Sequence, residues 1–289
     1  MSAPYSTEVP TALEYFAALV ADDASLALTE AAISIAQDEH PLLDTESVLA
    51  ELDRLTAKLA RAIPADAAAV QKLRLLNRHF FQQCGFAGNV NDFYASANSY
   101  IHEVLRTRRG IPISLAVVYL EMAQQIGLTA CAVSFPGHFL MKVKMPRGEV
   151  VIDPMNGHSL SRDELDERLV PYKRRQGLLG DFDMPLGLFL QPAAPREVIA
   201  RMLRNLKEIH RAAEDWPRLL AVQERLVCLL PGECEERRDR GLVRAELSLF
   251  VEAADDLDAY LVQHPRADDR HAIARRSAQL RALGRPRLH

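Results

Sequence analysis

The chain has 289 residues, 48% apolar and 26% charged, with 35 Lys and Arg against 39 Asp and Glu for a net charge of -4. That length suits two or three small domains, and without a basic excess a nucleic-acid surface is not expected. No apolar run approaches about eighteen residues, and the opening MSAPYSTEVPTALEYF lacks a basic stretch followed by an apolar one, so neither a membrane span nor a signal peptide is expected and a cytoplasmic protein is.

In chain order, residues 1–10 are polar and Pro-containing, a loose arm. Helical patterns follow over Thr11–Val20, with Leu13, Phe16 and Leu19, and over Ser25–Glu39, with Leu26, Leu28, Ile33 and Ile35. Asp44 caps the next, whose apolar face runs from Val48 through Leu52, Leu55 and Leu59 to Pro64. Asp66 is expected to cap another, through Val70, Leu73, Leu76 and Phe80. These four helices form an expected N-terminal bundle, residues 1–91.

Residues 84–92 read as a loop rich in turn residues, and a helix is expected over Asp92–Arg106, carrying Asn98-Ser99-Tyr100. Cys84 lies in that loop. A reactive thiol needs a His or a helix dipole aimed at it, and nothing local supplies either. With no C-x-x-C spacing, Cys84, Cys131, Cys228 and Cys234 read as reduced structural residues.

Arg108–Gly157 reads RRGIPISLAVVYLEMAQQIGLTACAVSFPGHFLMKVKMPRGEVVIDPMNG. Pro112 is placed for the first turn of a helix, since its φ is already helical and it has no N–H to leave unpaired. Leu115, Val118, Tyr119, Met122 and Ile126 recur at steps of three and four, Ala116 and Ala123 permit close packing, and Gly127 ends the helix. A strand is expected over Cys131–Phe135, then a hairpin turning at Pro146-Arg147-Gly148, with His138 opening its first strand and Asp153 closing its second.

The order of Gly, Ala-containing helix, Gly-Leu, strand, His-Phe-Leu, hairpin and Asp-Pro-Met-Asn-Gly resembles the core of the transglutaminase-like superfamily. With the C-terminal region it resembles the SirB-type family in particular. The resemblance implies an α+β, mostly helical protein: a papain-like core with a small antiparallel sheet, an N-terminal helical bundle and C-terminal tetratricopeptide helices. It also implies that His138 is the family His and Asp153 the Asp that orients it, and that Asn98 lies just upstream of the core as a candidate ligand-binding residue or a tie for the adjacent loop. In catalytic relatives a Cys opens the helix. Aligned on Ala116 and Gly127, that position is Pro112, which has nothing to attack with, so the resemblance implies a pseudoenzyme. Ser114 is the alternative nucleophile of a Ser114-His138-Asp153 hydrolase or acyltransferase. It lies about 200° round the helix from Pro112, and its other reading is a first-turn hydroxyl bonding local backbone. His138, Asp153 and His158 have the atom types of metal ligands but no local ligand spacing, so no metal and no cofactor is expected.

Beyond the core (residues 92–169), Ser161 and Glu164 form an expected capping box. Residues 170–195, with Pro171, Gly177, Gly180, Pro185, Gly187, Pro192 and Pro195, read as an irregular connector. From residue 196 helices are expected over 196–213, 216–230, 233–247, 250–264 and 268–283. Leu230-Pro231 and His264-Pro265 recur about 34 residues apart, the tetratricopeptide period. That alignment sets Gly241 and Ala253 on small-residue positions and Leu257 on a large apolar one. The mixed-sign run Glu235–Arg240 is expected to be a solvated face. The functional expectation is a non-catalytic scaffold or regulatory protein that receives a protein or peptide partner through the region 196–289.

Overall fold

The computed structural model describes residues 10–178 and 184–284. Residues 1–9 of the expected arm, residues 179–183 of the expected connector and residues 285–289 lie outside the described residues. The helices are α1 (Ala12–Leu19), α2 (Leu28–Ser34), α3 (Thr45–Ala62), α4 (Ala69–Asn77), α5 (Ile101–Thr107), α6 (Pro112–Gln125), α7 (Arg162–Gln176), α8 (Leu186–Phe189), α9 (Pro195–Ala212), α10 (Trp216–Leu229), α11 (Cys234–Glu246), α12 (Phe250–Gln263) and α13 (Arg270–Leu283). The strands are β1 (Ala87–Gly88), β2 (Arg109–Gly110), β3 (Ala130–Val133), β4 (Leu140–Met145), β5 (Gly148–Ile152) and β6 (Ser159–Leu160). This is the expected mostly helical α+β class. No helix among the described residues is long and apolar enough to cross a membrane.

The chain divides into two units. One comprises Ala27–Ala36 and Leu42–Met202; the other comprises Met1–Leu26, Gln37–Pro41 and Leu203–His289. The sequence division at residues 91 and 92 runs differently, because α3 and α4 belong to the same unit as the sheet. The reason lies in α6, where nine residues from Ile113 to Ala123 are buried. A helix apolar all round needs cover on every side, and α2, α3 and α4 supply it opposite β3 and β4.

The sheet of this unit is antiparallel in the order β3-β4-β5-β6, with Val133 opposite Leu140, Met141 opposite Ile152 and Val151 opposite Leu160. Alternate residues then share a face. Val133, Leu140 and Val151 join Leu160, with Leu165 and Leu169 of α7 and Leu186 of α8, in one apolar cluster. α7 continues through Pro171 to Gln176 and ends at Gly177 with φ 66°, so the first residues of the expected connector are helical. Its capping box forms as read, with Ser161 N donating to Glu164 Oε2 (2.8 Å) and Glu164 N to Ser161 Oγ (3.3 Å).

Other expectations need correction. Asp66 caps nothing: α4 starts after Ala68, without a side-chain cap, and passes at Arg78 into a π-helical turn, Arg78–Gln83. The helix expected over Asp92–Arg106 is a 3-10 turn, Ser96–Ser99, followed by α5. Asn98 holds the turn by bonding to the loop before it, a local alternative to helical pairing.

In the second unit α10 to α13 stack as consecutive antiparallel neighbours. A Cβ on Gly241 would stand 3.0 Å from the Ala253 carbonyl, Asp256 Cβ and Leu257 Cδ2, so α11 and α12 approach closely enough that a larger residue would force its neighbours apart by a few tenths of an ångström. The run Glu235–Arg240 is not a uniformly solvated face. Glu236 is buried and accepts from Lys207 Nζ (2.6 Å), and Arg240 reaches the buried Asp256 (2.6 Å). On α10 the Arg225 side chain is 1% exposed and pairs bidentately with Asp38 (2.8 and 2.9 Å), and it stacks over Phe16 of α1 at 5.0 Å. Arg225→Ala leaves Asp38 without its counter-charge in a partly buried site and is expected to cost about 3 kcal/mol. Urea unfolding of the variant against wild type measures this; a loss under about 1 kcal/mol would show the pair to be solvent-screened.

Candidate functional site

The site region is built where α6 begins. β1 and β2 pair in parallel, Ala87 opposite Arg109 and Gly88 opposite Gly110, and Gly88 N also donates to the Met155 carbonyl (3.0 Å). The short pair thus ties the Asp153–Gly157 turn to the entry of α6. Gly110 is required there, since a Cβ would stand 2.8 Å from Ser114 Oγ and 3.0 Å from Val104 Cγ2. Pro112 occupies the first helical turn of α6, as the sequence reads.

Ser114 follows, fully buried. Its hydroxyl lies 2.6 Å from the Asn98 carbonyl and 3.0 Å from that of Ile111, and accepts from Ile111 N (3.2 Å). The single hydroxyl proton therefore faces backbone carbonyls. Asn98 is buried too, and its carboxamide is fully engaged: Nδ2 donates to the Asp92 (2.6 Å) and Phe93 (3.3 Å) carbonyls, while Oδ1 accepts from Asn89 Nδ2 (3.0 Å). Both side chains fasten the loop of residues 89–98 to the start of α6.

His138 and Asp153 flank the β4–β5 hairpin at its two ends. His138 is exposed in the turn before β4 rather than opening the strand, with its N–H donating to the Phe135 carbonyl (3.0 Å). Asp153 falls just after β5. Its Oδ2 meets Arg168 Nη1 at 3.0 Å and its Oδ1 accepts from Met155 N at 3.0 Å. Among the described residues no hydrogen bond joins the His138 ring to Asp153 or to Ser114. Arg168, on α7, is the residue the sequence reading missed. No motif announces it, because it lies beyond the core pattern and only the docking of α7 on the sheet brings it to Asp153.

Cations also shape the electrostatics of the His. Arg201 of α9 donates to Ser134 Oγ and to the His138 carbonyl (both 2.8 Å), and stacks on Phe139 at 5.2 Å. Burial pushes the His138 imidazole below its usual value, Arg168 and Arg201 push the same way, and Asp153 opposes them. These influences favour the neutral imidazole, and among the described residues no hydroxyl or thiol is hydrogen-bonded to the ring. His158 turns to Glu164 (2.9 Å), so it does not converge with His138 and Asp153 as a metal triad.

Cys84 departs from expectation. His79, on the π-helical turn, brings Nε2 to 3.4 Å from its sulfur, although that nitrogen also lies 3.1 Å from the Leu55 carbonyl, and Nδ1 lies 2.8 Å from Gln83 Oε1. Burial pushes the Cys84 thiol up, against the pull of Arg108 and Lys58, which keeps it protonated and weakly nucleophilic.

Comparison with known proteins follows the two parts of this architecture. The transglutaminase-like superfamily matches residues 46–204, and a tetratricopeptide repeat matches residues 206–278. Similar proteins include a UPF0162 protein of Xylella fastidiosa (strain Temecula1), 36% identical over 245 residues that cover 84% of this chain and 86% of the relative. Another, from Pseudomonas aeruginosa (strain PAO1), is 31% identical over 219 residues, 75% of this chain and 78% of the relative. The UPF0162 protein YchA of Escherichia coli K12 is 29% identical over 225 residues, 76% and 80% of the two chains. No solved structure matches.

Two titrations check this geometry. Arg168→Ala removes one cation and unmasks the Asp153 carboxylate; both changes favour imidazolium, so the His138 midpoint rises, whereas Asp153→Asn lowers it further. Ring-proton NMR reads both, and an unchanged midpoint in the Arg168 variant would separate the two groups. The backbone and hydroxyl of Ser161, with His158, hold the Glu164 carboxyl down to about 2. A depressed acid stabilises above its unfolded value and ceases to do so as pH falls through the folded one. Carboxyl NMR should thus show the α7 cap lost on acidification from about 4.5 to about 2.

Proposed function

The chain belongs to the transglutaminase-like superfamily, as one of the UPF0162 proteins, and on that premise we propose that it is a non-catalytic, cytoplasmic interaction protein. In this reading a pseudoenzyme core in the SirB-type arrangement is joined to a tetratricopeptide region that receives a protein or peptide partner. The observation that carries it is the entry of α6. Pro112 stands where the resemblance places the nucleophile, and Ser114, the nearest hydroxyl, is fully buried with its proton directed at backbone carbonyls. Nucleophilic catalysis requires a nucleophile within hydrogen-bond reach of its base and a base held by a third group. Here Asp153 is held by Arg168 instead.

The binding half of the reading rests on the second unit. α9, α10 and α11 border a cleft of about 480 Å³ lined by Trp216, Leu219, Leu242 and Val243, together with Lys207 and Arg238. Apolar walls with a few polar groups suit a peptide side chain. Both cations are already paired, Lys207 with Glu236 and Asp239 and Arg238 with Asp239 and Asp269. The cleft accordingly offers shape and apolar surface more than net charge.

A fluorophosphonate probe tests the catalytic alternative. No labelling of the wild-type chain is expected, and labelling that disappears in both Ser114→Ala and His138→Ala would establish a serine nucleophile and end the non-catalytic reading. For the binding half, a partner retained by the full chain should be lost on Trp216→Ala and kept on His138→Ala. Retention that follows His138 instead would move the interaction to the core.

A further inference from the structure

Three side chains with metal-ligating atoms converge in the helical repeat, away from the transglutaminase-like site. Cys234 and Glu235 lie in the first turn of α11, and His264 caps the C-terminus of α12. The Cys234 sulfur, a Glu235 carboxylate oxygen and a His264 ring nitrogen all lie within 4.8 Å of one another. Sγ is 3.7 Å from Glu235 Oε2, and His264 Nδ1 is 4.0 Å from Glu235 Oε1. In a tetrahedral site with metal–sulfur bonds of about 2.3 Å and metal–nitrogen or metal–oxygen bonds of about 2.0–2.2 Å, neighbouring ligand atoms stand roughly 3.4–3.6 Å apart. Because those two contacts are to different Glu235 oxygens, the cluster needs rotamer adjustments of up to about 1.4 Å to reach that figure.

Two of the three ligands are also held. Cys234 is buried within the apolar cluster of Ala253, Leu257, Tyr260 and Ile273. The His264 ring stacks on Tyr260 (centroids 5.6 Å apart, planes at 11°), and Tyr260 is fixed in turn by its hydroxyl donating to Asp269 Oδ1 (2.7 Å) and by Arg238 over its face. Glu235 is half exposed and free to swing inward. A thiolate, an imidazole and a carboxylate carry together a charge of minus two, the complement of a divalent ion.

We propose that Cys234, Glu235 and His264 form a binding site for a thiophilic divalent ion of the zinc type, with a fourth position open to water or a further ligand. One sulfur and one nitrogen select this class over magnesium or calcium, which take oxygen. On binding, the thiol proton leaves to solvent as the sulfur–metal bond forms, with no change of oxidation state. The ion would clip the start of α11 to the end of α12, closing one hairpin of the repeat. Spacing motifs do not reveal it, because two ligands are adjacent in sequence and the third sits at the far end of the next helix.

Cobalt(II) titration of the full-length, reduced, chelator-stripped protein tests the proposal, since a thiolate ligand gives cobalt a sulfur-to-metal charge-transfer band. One equivalent should bind with that band, and zinc should displace it. Cys234→Ser should abolish the band, His264→Ala, at a partly exposed position, should weaken binding by at least about tenfold, and Cys228→Ser should change neither. Absence of a saturable band in the wild type, or a band that survives Cys234→Ser, would overturn it.

Discussion

A single buried hydroxyl sets the geometry around which the transglutaminase-like unit is arranged. Ser114 joins the first turn of α6 to the Asn98 carbonyl, and Asn98 in turn holds the loop of residues 89–98. Neither partner has water to fall back on. An unmet buried polar group costs about 1–3 kcal/mol, so the chain is committed to this arrangement once α6 is covered. The same commitment shares the one hydroxyl proton of Ser114 between the Asn98 and Ile111 carbonyls.

The acid of the site shows a parallel substitution. In a triad the carboxylate fixes the tautomer of the His and stabilises the imidazolium. Asp153 instead accepts from Arg168 and from a backbone N–H of its own turn. It serves as an anchor between the sheet and α7. With Arg168 and Arg201 both disfavouring charge on His138, the field around the imidazole runs against holding a proton.

Local signals carried far in this sequence. The three-and-four spacing of apolar residues placed α3, α6 and the five C-terminal helices within a few residues, and the Ser161–Glu164 capping box formed as read, because each depends on side chains one turn apart. What the sequence withheld depends on distant meetings. Arg168 reaches Asp153 only after α7 docks on the sheet, and His79 approaches Cys84 only because α4 widens into a π-helical turn. The 3-10 turn at Asn98 replaced an expected helix for a related reason: its side chain found better acceptors in the preceding loop than a helix could offer. The buried Lys207–Glu236 pair likewise comes from helices far apart in the chain, whereas sign alternation alone reads as solvated.

The Arg225–Asp38 pair has an implication for how the chain is made. Its partners are separated by 187 positions, and α1 packs with α10. A ribosome delivers α1 and Asp38 long before Arg225 emerges, and domains acquire their structure as their residues become available, at about 5–20 residues per second. The apolar side of α1, including Phe16, must therefore wait on the order of ten seconds or more for its cover, set by the rate of translation rather than by any barrier of the finished protein. During that interval the nascent segment exposes a short amphipathic helix, the kind of surface that general chaperones shield.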